Sequence, residues 1–550
     1  MKKVINEHKF PLLFLLITFG TYFILLFSRI ITENKTGFYL GHEHVWSDWP
    51  LHIAITSTFA FKPMNTWFAY HPMYAGGKST YPFLTDFISG MLMRIGFPLP
   101  LAIIIPSIIF SLLLIIGMYI LLLQLFKSKK IAVISISIFF LSSGPGFINF
   151  INAFFAHPTL QMLLYPPVHY TRINQYDWYS GNAIVGFLLP QRAFLLGMTI
   201  GIWVMAGLAW ILQKSQHIKR TKIILAALGL MAGLLSIVHI HSFIVIVIVT
   251  GFMCFISLRR WKLLLFYILP AAILSLIFYL IFIAGGIQID NFVKWLPGWT
   301  ANNSIVGWAA MWISLWGLTL PVSVVGLFFV RQEKILSKSW IAGFITVFIV
   351  GNLILFQPIL WDNAKFFMWS YFAFSTLCAI VLSWLSRKAF AGTFIAVVIF
   401  LGLTLTGVLE LTRLQAINRN QLQLSPADDI NLGIQVRNAT NPLSVFLTDT
   451  STNHFVMVWG GRSIVMGFKP WVVNFGFSDT KRSRDMGTMF SGGNLSLPLL
   501  KQYKISYVVI GPGEKYGFKA NELFYEKNFP VAFANQSYRI YDVRSATRGL

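Results

Sequence analysis

Between Lys222 and Arg259 the chain reads IILAALGLMAGLLSIVHIHSFIVIVIVTGFMCFISL, residues 223–258, without a single Asp, Glu, Lys or Arg. As one helix this run would extend about 54 Å at 1.5 Å per residue, against a bilayer hydrocarbon core of about 30 Å. It therefore crosses twice and turns at Val-His-Ile-His-Ser, Val238 to Ser242, where polar side chains interrupt the apolar pattern. Basic residues stand at both ends of the pair. By the positive-inside rule those ends are cytoplasmic, and the turn carrying His239 and His241 faces outward.

The same window applied to the whole chain gives about eleven spans, at 10–31, 100–126, 131–149, 193–213, 223–238, 242–258, 263–284, 305–330, 340–356, 366–385 and 389–409. Basic clusters fall in alternate loops: Lys127, Lys129 and Lys130; Lys214, Lys219, Arg220 and Lys222; Arg259, Arg260 and Lys262; Arg331, Lys334 and Lys338; Arg387 and Lys388. With Lys2, Lys3 and Lys9 they make 18 of the 27 basic residues before Glu410. This parity puts the N-terminus in the cytoplasm and the chain beyond Glu410 outside. The apolar run at 10–31 is too long for a cleaved signal peptide and no small-residue cleavage site follows it.

Composition agrees with an integral membrane protein. Of 550 residues, 56% are hydrophobic, 11% are charged and 51 are Phe, while 43 Lys and Arg against 19 Asp and Glu leave a formal charge of +24. Such a charge ordinarily suggests nucleic acid. Here the basic clusters alternate between spans and form no groove, so nucleic acid is excluded as a partner. Walker A, G-x-G-x-x-G, G-x-S-x-G and H-E-x-x-H motifs are all absent. Cys254 and Cys378 both fall in spans and read as packing residues.

The fold expected is an all-α polytopic membrane domain over 1–409, with long outer loops at 32–99 and 150–192, followed by a small extracytoplasmic α/β domain over 410–550. Strand-like runs in that second domain are 445–448, 455–459, 464–468, 507–510 and 537–543. Two interfacial helices are expected in the first loop, one starting at Ser47-Asp48-Trp49-Pro50 and one at Ser79-Thr80-Tyr81-Pro82 and running to about Arg94.

Of nine acids before Glu410, Glu33, Glu43, Asp48, Asp86, Asp177, Asp290 and Asp362 are outside, as are nine of the eleven His; His8 and His217 are the exceptions. The chemistry is therefore sought on the outer face. The densest group is His42-Glu43-His44-Val45-Trp46-Ser47-Asp48-Trp49-Pro50-Leu51-His52. Asp48 and His52, four apart, share a helix face. Asp48 reads either as a general base or as a helix cap. His42, His44 and Glu43 suit a divalent metal or a solvated loop. Asp86 is a second outer carboxylate, or part of a wet helix face. His239 and His241 suit a phosphate, a metal or a helix cap. Arg192, beside Gln191 in Leu189-Pro190-Gln191-Arg192, and Lys365 in Trp361-Asp362-Asn363-Ala364-Lys365 sit at headgroup depth, where a cation meets lipid phosphate or snorkels. Asp362 and Lys365, three apart, can also pair with each other.

On these features the chain resembles the GT-C membrane glycosyltransferases, which have an inside N-terminus, an acidic residue in a long first outer loop, interfacial helices and often a C-terminal outer domain. More narrowly it is similar to poorly characterised prokaryotic members through Leu189-Pro190-Gln191-Arg192, His239-Ile240-His241, Trp361-Asp362-Asn363-Ala364-Lys365 and Tyr503-Lys504-Ile505-Ser506-Tyr507-Val508-Val509-Ile510-Gly511-Pro512. It departs from oligosaccharyltransferase catalytic subunits in lacking Asp-x-Asp in the second outer loop and Trp-Trp-Asp-Tyr-Gly. It departs from protein O-mannosyltransferases in lacking an adjacent Asp-Glu pair in the first loop.

The resemblance implies a multi-pass protein of a prokaryotic plasma membrane that transfers a hexose, with inversion, from a polyprenyl-phosphate donor to a lipid, glycan or protein acceptor. Asp48 and Asp86 are then the catalytic candidates. His52, Arg192, Gln191, His239, His241, Lys365 and Asp362 are the substrate-binding ones, and a divalent metal on His239 and His241 is the possible cofactor. The alternatives are a transporter or flippase of lipid-linked saccharides, or a polysaccharide polymerase or ligase.

Overall fold

The computed structural model describes residues 2–213, 218–290, 292–301 and 304–547; His217 lies outside them. The chain divides into two compact units. The first comprises Met1–Ser28, Ser107–Phe278 and Val293–Arg419, and the second Arg29–Pro106, Tyr279–Phe292 and Asn420–Leu550.

The membrane helices make up most of the first unit. Among the described residues eight helices are long and apolar enough to cross a bilayer: Lys9–Arg29, Leu99–Phe126, Arg192–Gln213, Lys219–Val238, Leu258–Ile283, Ile335–Leu353, Leu360–Leu385 and Ala389–Gln415. A bent pair, Ile305–Trp316 and Thr319–Val330, makes a ninth if it is one span. The helix within Leu360–Leu385 is the hub. Its Phe366, Phe367, Trp369 and Phe372 are wholly buried, and its rings meet Trp340, Phe344, Trp316 and Phe139 on neighbouring helices. Elsewhere small residues permit close approach. Gly229 and Gly233, four apart, face Leu258–Ile283, where an added Cβ would stand 2.2 Å from the Tyr267 carbonyl oxygen and 2.8 Å from that of Ala271.

Three of the eleven expected spans take a different form. In place of 131–149 there is a helix at Lys129–Leu141, about 20 Å long, and a separate one at Phe147–Ala156. The Asn182 side-chain amide ends the first by donating to the carbonyls of Phe140 (2.9 Å) and Ser142 (3.2 Å), and Gly144-Pro145-Gly146 prevents its resumption. The expected span 305–330 bends by 98° beside Gly317, which stands at φ +52°. The helix Ile240–Phe255 has 16 residues, about 24 Å, and is shorter than an ordinary span. The break at His239 falls within the expected turn.

The second unit is discontinuous and differs from a 410–550 domain. Strands Ile31–Asn34 and Gly37–Leu40 form a hairpin, and Leu422–Pro426 pairs antiparallel with the second, Phe38 opposite Ser425. Gly37 at φ +147° makes this possible, since a Cβ there would lie 2.2 Å from the Ser425 carbonyl oxygen. What reads as the first outer loop is thus woven into the C-terminal segment. A five-stranded mixed sheet follows, in the order Ser463–Ile464, Val445–Leu447, Ile505–Ile510, Arg539–Asp542 and Val531–Ala534. The expected strand at 455–459 is instead a helix, Phe455–Val458, because His454 caps it: Val456 N–H donates to His454 Nδ1 at 3.3 Å. Helix Glu43–Phe61 packs on Leu84–Arg94 through Gly90, where a Cβ would meet that of Phe59 at 2.6 Å.

Candidate active site

Helix Glu43–Phe61 starts four residues earlier than its sequence suggests. The cap is His42, whose Nδ1 accepts from the backbone N–H of His44 at 3.2 Å. Asp48 is consequently in the second turn and does not cap, and Pro50 lies inside the helix. Trp46 ties this helix to the strand behind it, its indole N–H donating to the Gln423 carbonyl at 3.0 Å. Asp48 is half-buried, and His52 follows it by one helical turn on the same face.

Asp86 stands in the first turn of Leu84–Arg94, where the helix dipole favours a carboxylate. It is 1% exposed, so the wet-face reading is wrong for it. Both its oxygens lie within reach of His52 Nδ1, at 3.0 and 2.9 Å. An ionised carboxylate only accepts, so Nδ1 carries the proton, and in the neutral form of the ring the lone pair is on Nε2. The ring stands edge-on to Tyr81 at 6.1 Å. Asp86 thus fixes the orientation of the His52 ring.

In the first unit a second group forms at the break between Ile218–Val238 and Ile240–Phe255. His239 caps the latter helix. Its Nδ1 accepts from Ser242 N–H at 3.2 Å and lies 2.9 Å from Ser242 Oγ, which in turn accepts from the Trp369 indole N–H at 3.0 Å. The His239 and His241 rings stack with centroids 5.3 Å apart. Lys365 acts electrostatically on both rings and is ion-paired with Asp362. Asn363, between those two, fixes the turn by donating to the carbonyls of Gly351 (2.9 Å) and Ile354 (2.7 Å). Arg192 opens the helix Arg192–Gln213 at 1% exposure, with Gln191 just before it.

The Nε2 atoms of His239 and His241 are buried and have no hydrogen-bond partner among the described residues. Because a backbone N–H occupies Nδ1 of His239, the neutral ring must carry its proton on Nε2. That atom is a donor and suits an anion; a metal needs the lone pair it lacks. The proposed two-histidine metal site therefore does not fit His239 as it is held. Among the described residues one trio has ligand atoms within 4.8 Å of one another, Asp449, His454 and Glu514. Its atoms are already engaged, Glu514 accepting from Asp449 N–H (2.9 Å), Gly511 N–H (2.9 Å) and His454 Nε2 (3.2 Å). This is a stitched loop end.

Sequence reasoning passed over Lys62 and His71, both fully buried in the second unit, and the Glu410–His169 pair in the first, where Glu410 Oε2 lies 2.9 Å from His169 Nδ1. Lys62 has a faint signal as a lone cation closing an apolar helix; the other two have none.

No protein-family profile and no curated protein matches the sequence. Solved structures do. The oligosaccharyltransferase of Archaeoglobus fulgidus, tethered to an acceptor peptide with the NVT sequon, superposes with a TM-score of 0.54 at 12% identity, covering 96% of this chain and 74% of that one. ArnT from Cupriavidus metallidurans, bound to undecaprenyl phosphate, gives 0.48 at 9% identity, with 98% and 99% covered. The first likeness establishes that this multi-pass membrane chain shares the fold of that oligosaccharyltransferase.

Proposed function

We propose that the chain is an inverting membrane glycosyltransferase, moving a hexose from a polyprenyl-phosphate donor to a hydroxyl of a lipid, glycan or protein acceptor. The observation that carries this reading is the release of Asp48 from capping. In a chain of this fold it stands on a helix of the second unit, one turn before a histidine whose tautomer Asp86 fixes. A fold alone does not supply an activity, and that residue arrangement is what adds to it. The Archaeoglobus fulgidus enzyme of like fold is an oligosaccharyltransferase with a peptide acceptor. This sequence lacks the Asp-x-Asp and Trp-Trp-Asp-Tyr-Gly motifs, which favours a donor simpler than an oligosaccharide.

Asp48 accepts the proton of the acceptor hydroxyl as its oxygen attacks the anomeric carbon. The bond from that carbon to the phosphate oxygen breaks, and polyprenyl phosphate leaves with the electron pair. His52 receives a hydrogen bond from a substrate hydroxyl at Nε2. On the first unit, the Nε2–H of His239, with His241 and the charge of Lys365, forms a group of the kind that takes a lipid phosphate, and Arg192 and Gln191 belong to the same unit. Asp362 holds Lys365 in place. The basic-loop parity supports a cytoplasmic N-terminus and puts Asp48 and the second unit on the outer face of a prokaryotic plasma membrane.

The test is purified protein incubated with radiolabelled polyprenyl-phosphate hexoses. Wild type should transfer label and release polyprenyl phosphate, while Asp48→Asn, equally well inserted, should not. Transfer retained by Asp48→Asn would remove the base from Asp48. Lipid translocation without transfer by wild type would establish a flippase instead.

A further inference from the structure

Lys62 follows directly on helix Glu43–Phe61, and its backbone is held on both sides. Its N–H donates to Thr58 O at 3.1 Å, and its carbonyl accepts from the Trp67 indole at 3.1 Å and from Arg94. The side chain is 1% exposed, and among the described residues its ammonium reaches one acceptor, Ser463 Oγ, at 3.4 Å. An ammonium has three protons to place. His71 is 0% exposed, packed against Phe475 and Phe477. Met73 N–H donates to its Nδ1 at 3.3 Å, so Nε2 bears the proton of the neutral ring, and Nε2 has no partner.

Among the described residues, the charged groups acting on Lys62 and His71 are Arg462 and Lys62 itself, both cationic. Arg462, 2% exposed, spends its own donors on Thr440 Oγ1 (2.9 Å) and on the carbonyls of Thr440, Arg437 and Gly460. Arg437 lies beyond it, over the Phe61 ring. Burial, aided by Arg462, brings Lys62 down to about 7, and burial with the nearby ammonium brings His71 down to about 3. Buried charge without a counter-charge is costly, and neighbouring buried donors short of acceptors are what an oxyanion satisfies.

We infer that Lys62 Nζ and His71 Nε2, backed by Ser463 Oγ, form an oxyanion site that takes one phosphate or carboxylate group. The site belongs to the second unit, the one that carries Asp48, and it is separate in composition from the His239–Lys365 group. Two sources carry this chemistry: free phosphate, or the acidic group of a lipid acceptor. The inference does not need the glycosyltransferase reading to hold.

The test uses the full-length protein in a neutral detergent, with inorganic phosphate and farnesyl phosphate as probes and chloride at equal ionic strength as the control. Phosphate should raise the melting temperature of wild type by several degrees beyond chloride. Lys62→Met and His71→Phe should each weaken phosphate binding at least tenfold. The same losses should appear in a Lys365→Met background, where the donor site has lost its charge, which keeps this site apart from the donor site. In that background, tighter binding of farnesyl phosphate than of phosphate, lost in Lys62→Met, would assign a lipid source, and the reverse order a free anion. No phosphate-specific shift in wild type would overturn the inference, as would a shift in Lys365→Met protein that survives Lys62→Met.

Discussion

Substituting Asp86 by Asn keeps the size of the side chain and removes the charge that sets the tautomer of His52. The pair is 1% and 3% exposed, and both carboxylate oxygens are within 3.0 Å of Nδ1. A hydrogen bond to a charged group contributes about 1.5–3 kcal/mol. If that energy holds the Nε2 lone pair ready for substrate, Asp86→Asn should slow sugar transfer by roughly 10- to 150-fold, at 1.4 kcal/mol per decade. The reasoning makes Asp86 act only through His52. In a His52→Gln background, then, Asp86→Asn should change the rate by less than about twofold, because coupled residues are non-additive. Single-turnover transfer by wild type, both single variants and the double variant supplies the cycle. Full additivity, with Asp86→Asn costing another tenfold or more on top of His52→Gln, would refute the positioning role.

Other consequences follow from the buried groups. Lys62 titrates at about 7 in the fold against 10.5 in an ordinary lysine. Between those values the unfolded chain binds a proton that the folded one does not, so stability should rise with pH across that window and be lowest below 7. The full penalty is at most about 5 kcal/mol, and Lys62→Met should abolish the slope in melting temperature measured in phosphate-free buffer. His239→Asn retains a side chain able to cap Ile240–Phe255 but loses the Nε2 donor. It should keep the melting temperature within about 2 °C while weakening polyprenyl-phosphate binding, and transfer by wild type should survive a chelator. Gly229→Val should eliminate monodisperse protein in size-exclusion chromatography, since its Cβ would sit 2.2 Å from the Tyr267 carbonyl oxygen.

The membrane helices were legible because each must hide its backbone polar groups in a long apolar run, and that constraint is local. The break at Val238–Ser242 was legible for the same reason, as histidines have no place in mid-span. What was not legible depended on distant partners. The span expected at 131–149 stops early because Asn182, some 40 residues on, takes its last carbonyls. The hairpin at 31–40 is completed by a strand at 422–426, a pairing that no local pattern announces. In the site, Asp48 and His52 are visible through their four-residue spacing, but the cap that local sequence leaves open to Asp48 is supplied by His42. Histidine served as a cap twice more, at His239 and His454, and His71 does the same within a turn, each accepting a backbone N–H at Nδ1. Composition marked these rings as chemistry; the hydrogen bond at Nδ1 decides that what they offer is an Nε2 donor. His52 alone of the five is turned the other way, by Asp86.

The most direct test of the account is the anomeric configuration of the product. Proton NMR of the sugar transferred by wild type from a donor of known anomeric configuration should show inversion, since one displacement assisted by Asp48 passes through no covalent enzyme intermediate. Retention of configuration would contradict that role for Asp48.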